Sequence, residues 1–307
     1  MANGNFGGGD GTLENPYLVE DALDLDAVRN DVTAHYKQTA DIDLGSFVSW
    51  IPIGEVFTGV YSGAGLMIKN LTIDDDEASV IGLFKESSGE LTGIHLENVS
   101  LTGASEVGGI VGLNKGSIAD CEVNGTLKGG WTVGGITSWN EGIIKRCCAD
   151  VTIESGMGLC GGLVGTHENG GLIEKCYSKG TVTATDSWNY CSGGLVGSTG
   201  QESNDPIIDS YSLANVTGAE FNGGLVGMTY SNVSHCYSTG IVTADTDSGG
   251  LVGIIAGDGV VVNSYYDSET SGMSDTDKGE PKTTAELKDQ ATFDGWDFET
   301  TWAIDSE

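Results

Sequence analysis

The stretch Gly161-Gly162-Leu163-Val164-Gly165, with Cys176-Tyr177-Ser178-Lys179-Gly180-Thr181-Val182-Thr183 close behind it, decides how the chain folds, because most of it recurs. The five-residue word reappears as Gly108-Gly109-Ile110-Val111-Gly112, Gly193-Gly194-Leu195-Val196-Gly197, Gly223-Gly224-Leu225-Val226-Gly227 and Gly249-Gly250-Leu251-Val252-Gly253. A degenerate copy, Gly134-Gly135-Ile136-Thr137-Ser138, stands between the first two, and a relic, Ile81-Gly82-Leu83-Phe84, precedes the series. First glycines at 108, 134, 161, 193, 223 and 249 lie 26, 27, 32, 30 and 26 residues apart. A period of this size marks stacked supersecondary units.

A second column runs in step with the first. Some 13 to 17 residues after each word's first glycine comes Cys121, Cys147, Cys176, Ser210, Cys236 or Ser264, followed in four coils by Tyr177, Tyr211, Tyr237 or Tyr265. Short β-branched runs follow, such as Gly240-Ile241-Val242-Thr243. Each unit therefore reads as two or three short strands between glycine or polar turns. No such unit can bury its apolar face alone, and stacking solves this by pairing each strand with its equivalent one coil away, at ~4.8 Å.

The expected fold is all-β, a right-handed parallel β-helix of about six glycine-marked coils with terminal caps. The Cys/Ser column is expected to be an inward ladder of small side chains. The Gly-Gly pairs are expected at corners that need φ > 0 or a close approach of two chains. Glu20 to Asn30 and Thr284 to Gln290 are the two candidate short helices, both at the ends where a solenoid needs caps. Residues 1–77 read as an N-terminal cap with the first irregular coils, 78–272 as the regular solenoid, and 273–307 as a C-terminal cap or attachment segment.

Composition narrows the function. Of 307 residues 49 are Gly, more than twice the usual share of about 7%. Only 4 are Pro, and 38% are hydrophobic, which fits a packed core rather than a disordered linker. Acidic residues outnumber basic ones 45 to 13, a formal charge of −32 that repels phosphate backbones and argues against nucleic-acid binding. No apolar run is long enough to insert in a membrane. The start has neither a basic region nor an apolar core of a secretory signal, so the expectation is release without a signal, as virion proteins at lysis, or a removed leader.

The Gly-Gly-Leu-Val-Gly words and the Cys-Tyr-Ser-x-Gly-x-Val-Thr stretches (Cys176 to Thr183, Cys236 to Thr243) resemble the GLUG-motif repeats. Those repeats occur in large bacterial surface and secreted proteins, including adhesins and some IgA-cleaving peptidases, and in phage-encoded proteins. The leading segment, with Gly11-Thr12, Asp41 to Leu44, Trp50 to Gly54 and Asn70 to Ile73, resembles the region that often precedes them. Gly295 to Ile304 resembles the usual closing segment, without the aromatic-rich finish that normally follows, so a truncated or differently tucked terminus is expected. The resemblance implies architecture more than activity.

Catalytic chemistry finds little footing. The four histidines, His35, His95, His167 and His235, form no His-Glu-x-x-His pair, so the zinc peptidase chemistry of some relatives does not carry over. The seven cysteines are odd in number and lack a Cys-x-x-Cys pattern, although Cys160 and Cys191 sit where a disulfide between coils is open. Glu122, Glu174 and Asp209 fall near one column and are the acid set to test for glycoside cleavage. Calcium is the one cofactor to consider, with Asp41, Asp43, Asp74 and Asp76 as weak ligand candidates and a solvated acidic turn as the alternative. Trp131, Trp139, Trp188 and Tyr190 are the candidate sugar-stacking residues, with packing over glycine corners as the alternative.

The expectation is a non-enzymatic, extracellular structural or adhesive protein. A phage virion fibre, tail or decoration protein is the first form of it, a secreted bacterial adhesin the second, and a polysaccharide-degrading β-helix the contrasting third. Its expected partners are other structural proteins of a virion or cell-surface assembly, a surface glycan, and a second copy of itself.

Overall fold

Strands too short to pair within their own unit find partners one coil away. The computed structural model describes residues 5–185, 191–201, 204–244 and 246–304. Among these, one full coil runs through Glu106–Gly108, Val111–Asn114, Ser117–Ala119 and Glu122–Gly129. Stacked coils turn these four strand positions into four sheets, called sheets 1 to 4 in that order. They hold six, seven, ten and thirteen strands among the described residues, and their pairings are parallel. The chain is a parallel β-helix.

Register shows why the repeat works. In sheet 3, Leu91, Ile118, Ile144, Ile173, Ile207 and Val233 follow one another as partners. In sheet 4, Leu101, Leu127, Ile153, Val182, Val216 and Val242 do the same. All are buried. Full burial of one such side chain stabilises by about 1.5–3 kcal/mol, so each added coil extends the core by several residues.

The glycine word is used for space. Its first two glycines do not take the left-handed conformation in any coil, so of the two expectations for the corners close approach is the operative one. A Cβ on Gly162 would stand 2.1 Å from the Gly194 carbonyl oxygen one coil on and 2.8 Å from Ser178 Cβ. The third glycine brings sheet 2 against sheet 1: a Cβ on Gly165 would stand 2.4 Å from Thr132 Cγ2 of the preceding coil. Left-handed backbone falls instead on a column the sequence did not announce. Asp120, Arg146, Lys175, Asp209, His235 and Asn263, each just before the Cys/Ser column, have φ of 55°, 53°, 56°, 50°, 52° and 46°. They turn sheet 3 into sheet 4, at some cost for residues with a Cβ.

The ends are closed differently. Stacking begins at Tyr17–Val19, a coil before Ile42–Asp43. The helix Ala22–Ala27, whose first N–H groups are accepted by the Asp21 side chain, buries Leu25, and Val28 after it is buried too. At the other end Glu280–Lys282 adds a last strand to sheet 4. The second candidate helix is reduced to a single 3-10 turn, Glu286–Lys288. No helix among the described residues is long and apolar enough to cross a membrane.

Candidate binding site: an aromatic groove

Cys121, Cys147, Cys176, Ser210, Cys236 and Ser264 line the interior at the turn from sheet 3 to sheet 4, all at most 3% exposed. Their role is to satisfy backbone. Cys176 Sγ accepts the Cys147 N–H at 3.4 Å, Ser210 Oγ the Cys176 N–H at 3.1 Å, and Ser264 Oγ the Cys236 N–H at 3.1 Å. Each group also donates to the carbonyl two residues before it, as Cys176 does to Glu174 at 3.3 Å and Ser210 to Ile208 at 2.8 Å. Burial pushes the Cys121 and Cys176 thiols up and Cys236 to about 12, so they stay protonated and able to donate.

All seven cysteines are free. The disulfide that the sequence left open between Cys160 and Cys191 is closed off by the register, which pairs Cys160 with Ser192 and Cys191 with Leu159. Cys160 faces the core, with Sγ 3.3 Å from Ser192 Oγ, while Cys191 borders the groove described below. The acid set is dispersed as well. Glu174 ends a strand of sheet 3 and pairs with Lys145 at 2.8 Å, Glu122 begins a strand of sheet 4, and Asp209 is the left-handed residue between those sheets. They occupy three columns rather than one. Asp41 and Asp43 are spent on turns: Asp41 accepts the Met67 N–H at 2.9 Å, and Asp43 the Asn70 amide at 2.7 Å. Asp74 is exposed on the strand Thr72–Asp75 and Asp76 in the turn after it. Among the described residues no group of three or more His, Cys, Asp or Glu is arranged to hold a metal.

The re-entrant corner between sheets 1 and 2, where the glycine word lets the sheets approach, opens outward as a groove of about 780 Å³. That is within the ~300–1,000 Å³ typical of ligand sites. Trp131, Leu159 and Cys191 form one wall. A register column of sheet 2 forms the other: Trp139, Thr166, Ser198 and Met228. Tyr230 and Gln201 close one end, and Glu168 and Asn169 stand on the rim. Trp131 is 42% exposed and Trp139 half-buried. Thus Trp131 and Trp139, of one coil, line the same groove, whereas Trp188 and Tyr190 lie outside the described residues.

The groove's polar groups were not singled out by sequence. Glu168 accepts from Asn169 Nδ2 at 2.9 Å, and Asn169 also donates to Glu141 at 3.1 Å. Burial and then the charge of Glu141 raise the Glu168 carboxyl above its ordinary value. Thr166, 4% exposed, carries a hydroxyl with no hydrogen-bond partner. A buried hydroxyl left so costs about 1–3 kcal/mol, which a ligand group in the groove would recover. Behind this wall Asn114 donates to Asn140 at 2.6 Å, and Asn140 Nδ2 is 2.9 Å from His167 Nδ1. Burial lowers His167 to about 4.

Residues 159–183 match the family model of the GLUG motif. The chain carries the GLUG motif. It is 33% identical over 397 aligned positions to a "Putative Gly-rich membrane protein" of Evansella cellulosilytica, covering 98% of this chain and 45% of that protein. It is 37% identical over 138 residues to "Halomucin" of Haloquadratum walsbyi, covering 39% of this chain and 2% of that one. It thus spans less than half the length of these curated relatives. Its fold is that of a crystallised "putative immunoglobulin A1 protease" from Bacteroides ovatus, with TM-score 0.75, 22% identity, and 95% and 91% of the two chains covered. A structure named "IgA1 Protease" aligns with TM-score 0.64 and 15% identity over 94% of this chain and 26% of the other.

Proposed function

We propose that this chain is a non-enzymatic module displayed on a cell surface, where it binds a glycan in the groove between sheets 1 and 2. The observation that carries the reading is the groove itself: two indoles of one coil beside an unpartnered hydroxyl of the next. Flat aromatic faces next to polar groups suit a sugar ring, which has an apolar face and hydroxyl edges. The surface placement draws support from the names of two relatives, a Gly-rich membrane protein and halomucin. Those names favour a cell envelope over a virion, and nothing in the comparisons supports the phage form. A charge of −32 suits a solvated outer surface. Other structural proteins of the envelope are the partners in this reading.

The non-enzymatic part rests on how the reactive groups are spent. The buried thiols serve backbone, His167 is held neutral in the interior, and the acids tested for glycoside cleavage occupy different columns. An immobilised glycan panel tests the proposal, with release of reducing ends and fragmentation of immunoglobulin A followed in parallel. The intact protein should be retained on at least one glycan and Trp139→Ala should not, without turnover of any substrate. Retention indifferent to Trp139, or turnover, would contradict it.

A further inference from the structure

Among the described residues that line the groove one side chain is charged, and it is an acid. Glu168 stands at the rim within hydrogen-bond reach of Asn169, which links it to Glu141. Among the described residues no Lys or Arg lines the groove. Lys115, Lys145 and Arg146 are engaged in ion pairs elsewhere, with Glu86 at 2.8 Å, Glu174 at 2.8 Å and Asp120 at 2.6 Å, and Lys175 and Lys179 of the same coil lie at and beyond the turn into sheet 4. A carboxylate that is partly desolvated, repelled by a neighbour and bonded only to neutral donors lacks a countercharge. Next to it, in the same groove, Thr166 offers a buried hydroxyl that nothing in the protein satisfies. Both deficits face the same ligand.

We infer that the groove selects a glycan bearing a free amine, an amino sugar whose ammonium sits at Glu168 while a ring hydroxyl or the glycosidic oxygen meets Thr166 Oγ1. This rests on the glycan-binding reading above and adds the class of sugar. Uronates and sialylated chains are excluded by the same electrostatics, since they would place a second carboxylate beside Glu168 and Glu141 without any lining cation to hold it. N-acetylated sugars keep the stacking and the hydroxyl but lose the charge.

The test uses the whole protein and three trimers: β-1,4-linked glucosamine, its N-acetylated form, and galacturonate, at about pH 6 where carboxylates are ionised. Binding is followed by tryptophan fluorescence and calorimetry. Glucosamine trimer should bind roughly tenfold more tightly than the N-acetylated trimer, as expected for one partly desolvated charge pair. Galacturonate should not bind. Glu168→Gln, which keeps an acceptor for Asn169, should erase the preference, and Glu77→Gln, in an exposed turn outside the groove, should leave it intact. Thr166→Val should weaken both amino-sugar trimers together. Equal affinity for the two trimers, or a preference that survives Glu168→Gln, overturns the inference while leaving glycan binding standing. A preference lost equally in Glu77→Gln assigns it to the overall charge and also overturns it. If none of the trimers and no glycan on the panel binds, both readings fall together.

Discussion

Two sets of aromatic side chains lie along the outside of the solenoid, and the chain covers one of them. On sheet 4, Tyr177, Tyr211 and Tyr237 stack with ring centroids 4.9 Å apart and nearly parallel planes. The C-terminal segment folds back over them, bringing Trp302 to 5.8 Å from Tyr237, and Trp296 to 6.0 Å from Tyr265 and 4.4 Å from Trp302. Trp296 is buried, and its indole donates to the Asn263 carbonyl at 2.8 Å. Elsewhere on the solenoid, Trp131 and Trp139 border an open groove that the described part of the C-terminal segment does not line. The same residue type thus closes the fold in one place and stays available in the other. An aromatic row is therefore no evidence of binding until one asks what lies on it.

The comparison assumes that the coils are held together from inside, and the largest expected effect tests that. Cys176→Arg buries an unpaired charge in the inner ladder and should yield no folded protein. Cys176→Ser should cost less than about 1 kcal/mol, because Ser210 and Ser264 make the same pair of hydrogen bonds in their coils. Circular dichroism and denaturant titration read both. A folded arginine variant would mean that the column is not part of the core.

Removing the cover comes next. Trp296→Ala should destabilise by about 3 kcal/mol, near the lower end for a large aromatic in a core, since the segment lies at an edge of the molecule. A loss within about 0.5 kcal/mol, the range of surface substitutions, would make the covered row as dispensable as an exposed one.

A smaller effect separates the groove wall from the rest of the protein. His167 is neutral in the fold, with a pKa lowered to about 4 by burial, against an ordinary value near 6.5. The unfolded chain takes up the proton first, so this contribution to stability is fully present above about pH 6.5 and is lost as pH falls toward about 4. His167→Gln should flatten the fall of the thermal midpoint across that window, leaving the steeper acid loss due to carboxylates below it. An unchanged slope would place His167 in contact with solvent.

Much of the architecture was legible because the repeat is local. The glycine words and the Cys/Ser column keep their residue types from coil to coil, since each position needs one property: no side chain in one case, a small hydrogen-bonding group in the other. The left-handed column was not legible, because Asp120, Arg146, Lys175, Asp209, His235 and Asn263 share a backbone angle and no side-chain property. The groove was half legible. Indoles at Trp131 and Trp139 stand out in a chain with 6 tryptophans. Their register partners Thr166, Ser198 and Met228 differ in chemistry, and only the stacking brings Glu168 to the same opening. That residues 273–307 cap the end was legible, but not that they lie over the tyrosine row, since contacts between Trp296 and the tyrosines join segments dozens of residues apart.

The central claim is that the open aromatics serve binding and the covered ones serve the fold, and one crossed measurement tests it. Trp139→Ala and Trp296→Ala are each compared with the intact protein for unfolding free energy and for affinity to the glycan retained in the panel. The account predicts that Trp139→Ala weakens binding at least tenfold, because the indole supplies a stacking face, and costs less stability than Trp296→Ala, whose side chain is buried. It predicts the reverse for Trp296→Ala: a clear loss of stability with affinity unchanged under folding conditions. If the two variants lose stability alike, or if binding survives without Trp139, the distinction between the two sets fails.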